Sequence, residues 1–152
     1  MIGLLQRVDF ATVHVNGEEI ARIKHGLLVF VGVEREDTSA EANRLLSRLL
    51  GYRIFSDEND KMNLSLQDIK GGLLLVPQFT LAADTHKGMR PSFTPAASPK
   101  DANELFTYIC NQAKQHHPAV ETGHFGADMQ VSLTNNGPVT FWLHVPPHSI
   151  NK

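Results

Sequence analysis

An α+β fold is predicted, with a curved, largely antiparallel sheet and two main helices. Three observations predict it. Alternating or continuous apolar runs outnumber helical patterns. Only two segments carry an apolar face at helical spacing. Turn residues separate neighbouring strands at hairpin spacing. The chain has 152 residues, which suits one domain burying roughly 68–70% of its unfolded surface. Apolar residues make up 41%, a little low for a lone globule, so a partner subunit is expected to complete part of the core.

The elements follow in order. Residues 2–8 and 10–15 read as two strands, the second with Val13 and Val15 alternating with Thr12 and His14. Asn16-Gly17 is a hairpin signal, and residues 19–23 are the returning strand. Residues 26–33, GLLVFVGV, are continuously apolar and suit a strand covered on both faces. Residues 38–50 read as a helix, with a capping box from Thr38 and Glu41 and one apolar face of Ala42, Leu45, Leu46, Leu49 and Leu50. Gly51 is suited to ending it. Residues 52–55 suit a short strand, followed by a polar turn. Residues 72–81 begin as a buried strand. Residues 82–97 form a loop broken by Gly88, Pro91 and Pro95.

The second helix spans residues 98–117, capped by Ser98 with Pro99 at its first position. Ala102, Leu105, Phe106, Ile109, Cys110 and Ala113 form its buried face. Near the end, Met129, Val131 and Leu133 alternate, as do Val139, Phe141, Leu143 and Val145, with TNNGP between them. That pattern reads as two strands about a turn. Residues 1–145 are taken as the domain, and 146–152, PPHSINK, as a mobile tail.

Composition narrows the function. Cys110 is the single cysteine, so no internal disulfide forms and a reducing, cytoplasmic setting is expected. The first ten residues contain Arg7 and Asp9 and do not resemble a signal peptide. No apolar run approaches the ~18 residues of a membrane span, so no membrane partner is expected. A net charge of −2 argues against a general nucleic-acid binder, DNA included. Any RNA would be met through a small part of itself.

Eight histidines suggest a metal, but their spacing does not. His144 and His148 are four apart with Pro146-Pro147 between them, which forbids a helix. His116-His117 sit at a helix C-terminus, where the dipole favours them. No metal or other cofactor is expected. No GxSxG, GxGxxG or GxxxxGKS motif occurs. Cys110 lies on an apolar helical face, where a packed core thiol is the ordinary reading.

Two places remain unusual. Pro77-Gln78-Phe79-Thr80 puts a residue with no N–H, then polar side chains, into an apolar run. A proline in a strand marks an edge, a bulge or an end. The ordinary reading is an edge strand facing water. The alternative is a broken ladder that frees backbone groups for a ligand. Asn136-Gly137-Pro138 is ordinarily a hairpin turn, yet X–Pro bonds are the ones that adopt cis in folded proteins.

QFTLAAD at 78–84, GMRPSF at 88–93 and FGADMQVSLTNNGPVTF at 125–141 resemble the D-aminoacyl-tRNA deacylases. The likeness runs from MIGLLQRV to FWLHV, nearly the whole chain. It implies a homodimer with a barrel-like sheet and the active site at the subunit interface, and an activity on the ester joining a D-amino acid or glycine to the 3′ end of tRNA. Carried over by position, Gln78, Phe79 and Thr80 line the site. Gly137 and Pro138 enter the partner's site as a cis pair, Arg7 holds that pair, and Met129 packs nearby. Pro77 departs from the family's usual Ser and removes any role for a hydroxyl there. Asn136 stands where Asp is common. A related tRNA-editing group carries the Pro but has Ala after the Gln. Phe79 and Arg7 favour the D-aminoacyl branch.

The residues suit that chemistry. An activated ester needs its carbonyl held and water placed, and the backbone N–H groups of Phe79 and Thr80 can stabilise an oxyanion. The resemblance has the RNA's own 2′-hydroxyl assisting, with Thr80 positioning rather than attacking. Backbone close against Cα would admit a D side chain and exclude an L one. Three other readings stand beside it. One is an editing deacylase for an L-amino acid. Another is a non-catalytic module stacking RNA ends on Phe79, Phe93, Phe125 or Trp142. The last is an esterase of small molecules. Lys87 and Arg90 are either phosphate contacts or solvated loop charges.

Overall fold

Strand β1 (Ile2–Val15) is the hub of the sheet in the computed structural model, which describes residues 1–148. It pairs antiparallel with β2 (Glu18–Ile23), β3 (Gly26–Gly32) and β8 (Gln130–His144). Residues 2–8 face β3 and residues 11–15 face β2, while β8 runs along both halves. The two strands expected over 2–15 are therefore one strand that changes partner. The same holds for the two expected near the end. Both halves of β8 pair with β1, not with each other across a turn.

The sheet curves into a nearly closed barrel with the order β2-β1-β3-β6-β7 and β8 beside β1. It is mixed, which corrects the largely antiparallel expectation. β6 (Gly72–Pro77) runs parallel to β3, and β7 (Val120–Thr122) parallel to β6. The cause is connectivity. α1 (Ser39–Gly51) lies between β3 and β6, and α3 (Pro99–His116) lies between β6 and β7. A parallel pair needs a crossover of a dozen or more residues, usually a helix. The continuous apolar runs of β3 and β6 were the signal of such covered parallel strands.

α1 starts as its sequence dictates. Glu41 Oε2 accepts from both the N–H and the hydroxyl of Thr38 at 2.7 Å, and Thr38 Oγ1 accepts from Ala40 N–H at 3.2 Å. Gly51 is its last residue and Tyr52 caps it. α3 is capped by Ser98, whose hydroxyl accepts from Asp101 N–H. Between the long helices, β4 (Phe55–Ser56) and β5 (Met62–Leu64) make a hairpin that begins later than the expected 52–55 strand. α2 (Leu66–Ile69) adds a third, one-turn helix.

Two apolar layers result. Leu27, Val29, Leu73 and Leu75 lie beneath Leu45 and Leu49 of α1 and Phe106 and Ile109 of α3. On the other face, Val8, Leu28, Leu74 and Val76 pack with the half-exposed Phe30, Met129, Val131 and Leu133. Cys110 is buried, and burial pushes its thiol up to about 12. His117 is also buried, with a ring nitrogen 2.6 Å from the Gly71 carbonyl oxygen. Of the tail 146–152, residues 149–152 lie outside the described residues. The N–H of His148 donates to Glu41 Oε1 at 3.1 Å.

Candidate active site

The end of β6 carries the first group of candidates. Pro77 is the last residue of the strand and stands opposite Val31. Gln78 continues the ladder once more, its N–H donating to Val31 O at 2.8 Å. Successive N–H groups alternate sides along a strand. Since that of Gln78 points to β3, the missing N–H of Pro77 falls on the side of β7. There Gly123 N–H donates to Leu75 O at 2.8 Å, one residue past the last pair Leu75↔Thr122, and the proline stops the ladder where Gly123 O would accept the next bond. β6 is an inner strand, not an edge.

The chain then turns into a single 3-10 turn, Phe79–Ala82. Leu81 N–H donates to Gln78 O and Ala83 N–H to Thr80 O. The N–H groups of Phe79 and Thr80 have no partner among the described residues. These are the first donors of a helical turn, which are unsatisfied by construction. Gln78 Nε2 donates to Thr80 Oγ1 at 2.6 Å, so the threonine hydroxyl is held by an amide and not by a base. Phe79 is 56% exposed, and its ring lies 5.1 Å from that of Phe93.

A cleft of about 1400 Å³ opens beside this turn, walled by Phe30, Pro77, Gln78, Phe79, Phe93 and Met129. The loop 82–97 is fastened over it. Asp84 and Ser92 exchange both backbone bonds, Arg35 N–H donates to Pro95 O, and Ala97 N–H donates to Val33 O. Two cleft carboxylates are already engaged. The Met1 ammonium donates to Glu34 and to Asp37 at 2.9 Å each, and His144 Nε2 lies 2.7 Å from Glu34. Burial opposes the charge on Glu34, but the bonds from the Met1 ammonium and His144 outweigh it and hold that carboxyl below its ordinary range. At Asp37 burial prevails over the same ammonium, and its carboxyl is raised. Nothing in the sequence pattern marked this cluster, because it depends on where the first residue packs.

The second group surrounds a loop in β8. Gln6 stands opposite Thr140 and Val8 opposite Asn135. β1 thus advances two residues where β8 covers five, and residues 136–139 have no ladder partner, with 136–138 forming the loop. The Gly137-Pro138 bond is cis. Arg7 Nε donates to Asn136 O at 2.9 Å and Arg7 Nη1 to Ile54 O at 2.8 Å. Asn136 Nδ2 donates to Asp9 Oδ1 at 2.9 Å. Gly137 has φ +143°, and a Cβ there would sit 2.6 Å from Val139 Cγ2. Asn135 was not singled out from sequence. Its Oδ1 accepts from Val139 N–H at 2.7 Å, and its Nδ2 donates to Thr140 Oγ1 at 2.8 Å.

The candidates therefore fall into two sets. Gln78, Phe79 and Met129 border the cleft, with Thr80 on the adjoining turn. Asn136, Gly137 and Pro138 form the β8 loop, with Arg7 bonded to it from β1. Across the sheet, Arg7 is level with Leu27 and Leu73, whereas Pro77 is level with Val31. From Leu27 to Val31 is roughly 13 Å along the strand direction, and β1 and β3 lie between β8 and β6. One chain does not bring the two sets together.

Residues 4–144 match a family model described as D-Tyr-tRNA(Tyr) deacylase. The D-aminoacyl-tRNA deacylase of Dichelobacter nodosus is 59% identical over 95% of this chain and 100% of its own length. That of Thioalkalivibrio sulfidiphilus is 61% identical over 97% of this chain and 99% of its own. Among solved structures, the c-Myc DNA unwinding element binding protein is 36% identical, with a TM-score of 0.92 over 96% of this chain and 99% of its own. A probable eukaryotic D-amino acid tRNA deacylase is 19% identical, with a TM-score of 0.72 over 93% of this chain and 97% of its own, and shares the fold.

Proposed function

This chain belongs to the D-Tyr-tRNA(Tyr) deacylase family, and from that premise we propose that it hydrolyses the ester of D-aminoacyl-tRNA and of glycyl-tRNA, releasing free tRNA and the amino acid. It is an ester hydrolase of the aminoacyl-tRNA deacylase class. The observation that carries the detailed reading is the pair of unpartnered N–H groups of Phe79 and Thr80 beside the cleft.

The carbonyl oxygen of the ester accepts from those two donors. Each donor of an oxyanion hole contributes about 2.7–4 kcal/mol to the transition state. Water attacks the carbonyl carbon, and the 2′-hydroxyl of the terminal ribose assists the proton transfer to the departing 3′-oxygen. Gln78 and Thr80 position the turn. Thr80 is not the nucleophile, since its hydroxyl is bonded to Gln78 rather than to a general base. The exposed Phe79 ring supplies a face for the terminal base.

The site is completed by a second copy. Its loop brings Gly137 and Pro138 into the cleft that its own chain keeps distant. Among the described residues β8 pairs only with β1, which leaves its other edge open there, and an open edge is commonly covered by a partner. The 56% exposed Trp142 adds apolar surface near the half-buried Phe30, each standing opposite Leu4. With loop backbone against Cα, a D side chain points out and an L side chain collides, while glycine passes. That is selectivity by exclusion. A tRNA substrate places the enzyme in the cytoplasm, with residues 1–145 as its working domain. A net charge of −2 suits contact with an RNA end rather than with a length of duplex.

The test is hydrolysis of matched D-tyrosyl-, L-tyrosyl- and glycyl-tRNA with EDTA present, alongside sedimentation. Release of D-tyrosine and glycine but not L-tyrosine, from a dimer, is expected. Release of only the L-amino acid would point to the editing group. Binding of charged tRNA without release would point to a non-catalytic module, and faster turnover of free amino-acid esters to a small-molecule esterase.

A further inference from the structure

We propose that Asn135 is the positioning residue of the Gly137-Pro138 loop, setting how strictly the loop discriminates at Cα of the aminoacyl group. This rests on the deacylase reading above. The ladder between β1 and β8 lapses from Thr140 to Asn135, so backbone pairing does not hold the neck of the loop. One planar amide does. Asn135 Oδ1 accepts from Val139 N–H at 2.7 Å, and Nδ2 donates to Thr140 Oγ1 at 2.8 Å. The residue before the loop is thereby stapled to the two residues after it.

The other restraints act on a different part of the loop. Arg7 Nε and Asp9 Oδ1 bond Asn136, tying the loop sideways to β1. Gly137 and Pro138 are exposed and make no side-chain hydrogen bond among the described residues. Their placement depends on Asn136 on one side and on Val139 and Thr140 on the other, and Asn135 controls the second side. Exclusion through backbone contact falls away within a fraction of an ångström, and misplacement by 1 Å costs about a hundredfold in a well-ordered site.

The side-chain type is specific. Gln is one methylene too long for the span, and Ser has a single short hydroxyl. Asp retains the acceptor for Val139 N–H, and the Thr140 hydroxyl can turn to donate to its second oxygen. Asn135→Asp therefore rescues what Asn135→Ala loses, and Thr140→Val removes one bond of the two.

The full-length wild type and the three variants are compared on D-tyrosyl- and L-tyrosyl-tRNA, separating kcat from KM, with melting temperatures alongside. In Asn135→Ala, KM for the D substrate should rise about tenfold, the effect of two lost hydrogen bonds. The expected kcat lies within about threefold of wild type, and the ratio of L to D hydrolysis rises about tenfold. Thr140→Val should lie between, and Asn135→Asp near wild type. An unchanged L to D ratio in Asn135→Ala with a lowered melting temperature would make the residue merely structural and overturn the proposal. So would an Asp variant as impaired as Ala. If Asn135→Ala does not fold, the ratio in Thr140→Val decides in the same way. An inactive wild type overturns the deacylase reading and this inference with it, whereas an active wild type with unchanged variant ratios overturns this inference alone.

Discussion

Two prolines interrupt two strands of this barrel, and the chain treats the interruptions in opposite ways. At Pro77 the strand ends, and two donors that follow, Phe79 and Thr80 N–H, are left without partners among the described residues. At Pro138 the strand continues on both sides, and the loop is held from several directions by Arg7, Asp9 and Asn135. The first interruption exposes hydrogen-bonding capacity. The second uses it up to fix a shape. A reaction needs donors that are free to bind the developing charge, whereas steric selection needs backbone that does not move. The comparison predicts that changes at 136–138 act on which substrate is accepted, and changes at 77–80 on how well it is held.

The sharpest way to break that division is Gly137→Ala. The added Cβ would lie 2.6 Å from Val139 Cγ2 and 2.9 Å from Val139 N, at a φ of +143° that L side chains rarely adopt. Backbone strain of this kind costs about 1–3 kcal/mol, and the loop must shift to relieve it. Hydrolysis of D-tyrosyl-tRNA is expected to fall by about a hundredfold or more, with circular dichroism unchanged. Undiminished D-ester hydrolysis would remove Gly137 from the site.

Phe79→Ala should act next most strongly, and in the other manner. The ring is 56% exposed, so the fold loses little. Loss of a base-stacking face is worth about 1–3 kcal/mol, so KM should rise about tenfold or more with the D over L preference intact. A lost preference with unchanged KM would reverse the roles assigned to the two interruptions.

What could be read from the sequence divides along similar lines. Local signals held. The Thr38–Glu41 capping box forms, the stripe from Ala42 to Leu50 is buried, and Asn16-Gly17 turns between β1 and β2. Each depends on residues a few positions apart. Pairing over distance was harder. The alternation at 129–133 and 139–145 is equally compatible with a hairpin and with one long strand, and only the partner, β1, decides between them. The parallel pairing of β6 was signalled by its unbroken apolar run, but a turn-based count of strands favours antiparallel neighbours. The assignment of Gln78, Phe79, Thr80, Gly137 and Pro138 to one site came from the family resemblance. No spacing rule links positions roughly sixty residues apart that one chain keeps on different strands. Asn135 went unnoticed because an Asn beside a turn is ordinary until its two bonds are seen.

Thr80→Ala tests whether the end of β6 works through backbone or side chain. The hydroxyl accepts from Gln78 and bonds no base among the described residues, while the N–H remains in the alanine variant. A net side-chain hydrogen bond is worth about 0.5–1.5 kcal/mol, much of it recoverable by water at an exposed position. The rate should therefore stay within about threefold of wild type. Abolished turnover, with an acyl-enzyme trapped in the wild type, would make Thr80 a nucleophile and overturn the backbone reading.

The smallest effect is expected at the residue that looks most irregular. Pro77→Ser restores the family's usual residue and adds an N–H on the side of β7, beside Gly123, whose own N–H bonds Leu75 O, so the ladder lengthens by at most one bond. No side-chain role is lost, because the proline ring contributes only a wall of the cleft. The unfolded chain gains freedom, which lowers stability by about 0.4–1 kcal/mol. Turnover of D-tyrosyl-tRNA should remain within about twofold, since the free N–H groups of Phe79 and Thr80 are set by the 3-10 turn that follows rather than by the proline itself. A large gain in rate would mean that a hydroxyl at 77 acts on the substrate, and the comparison of the two prolines would then rest on Pro138 alone.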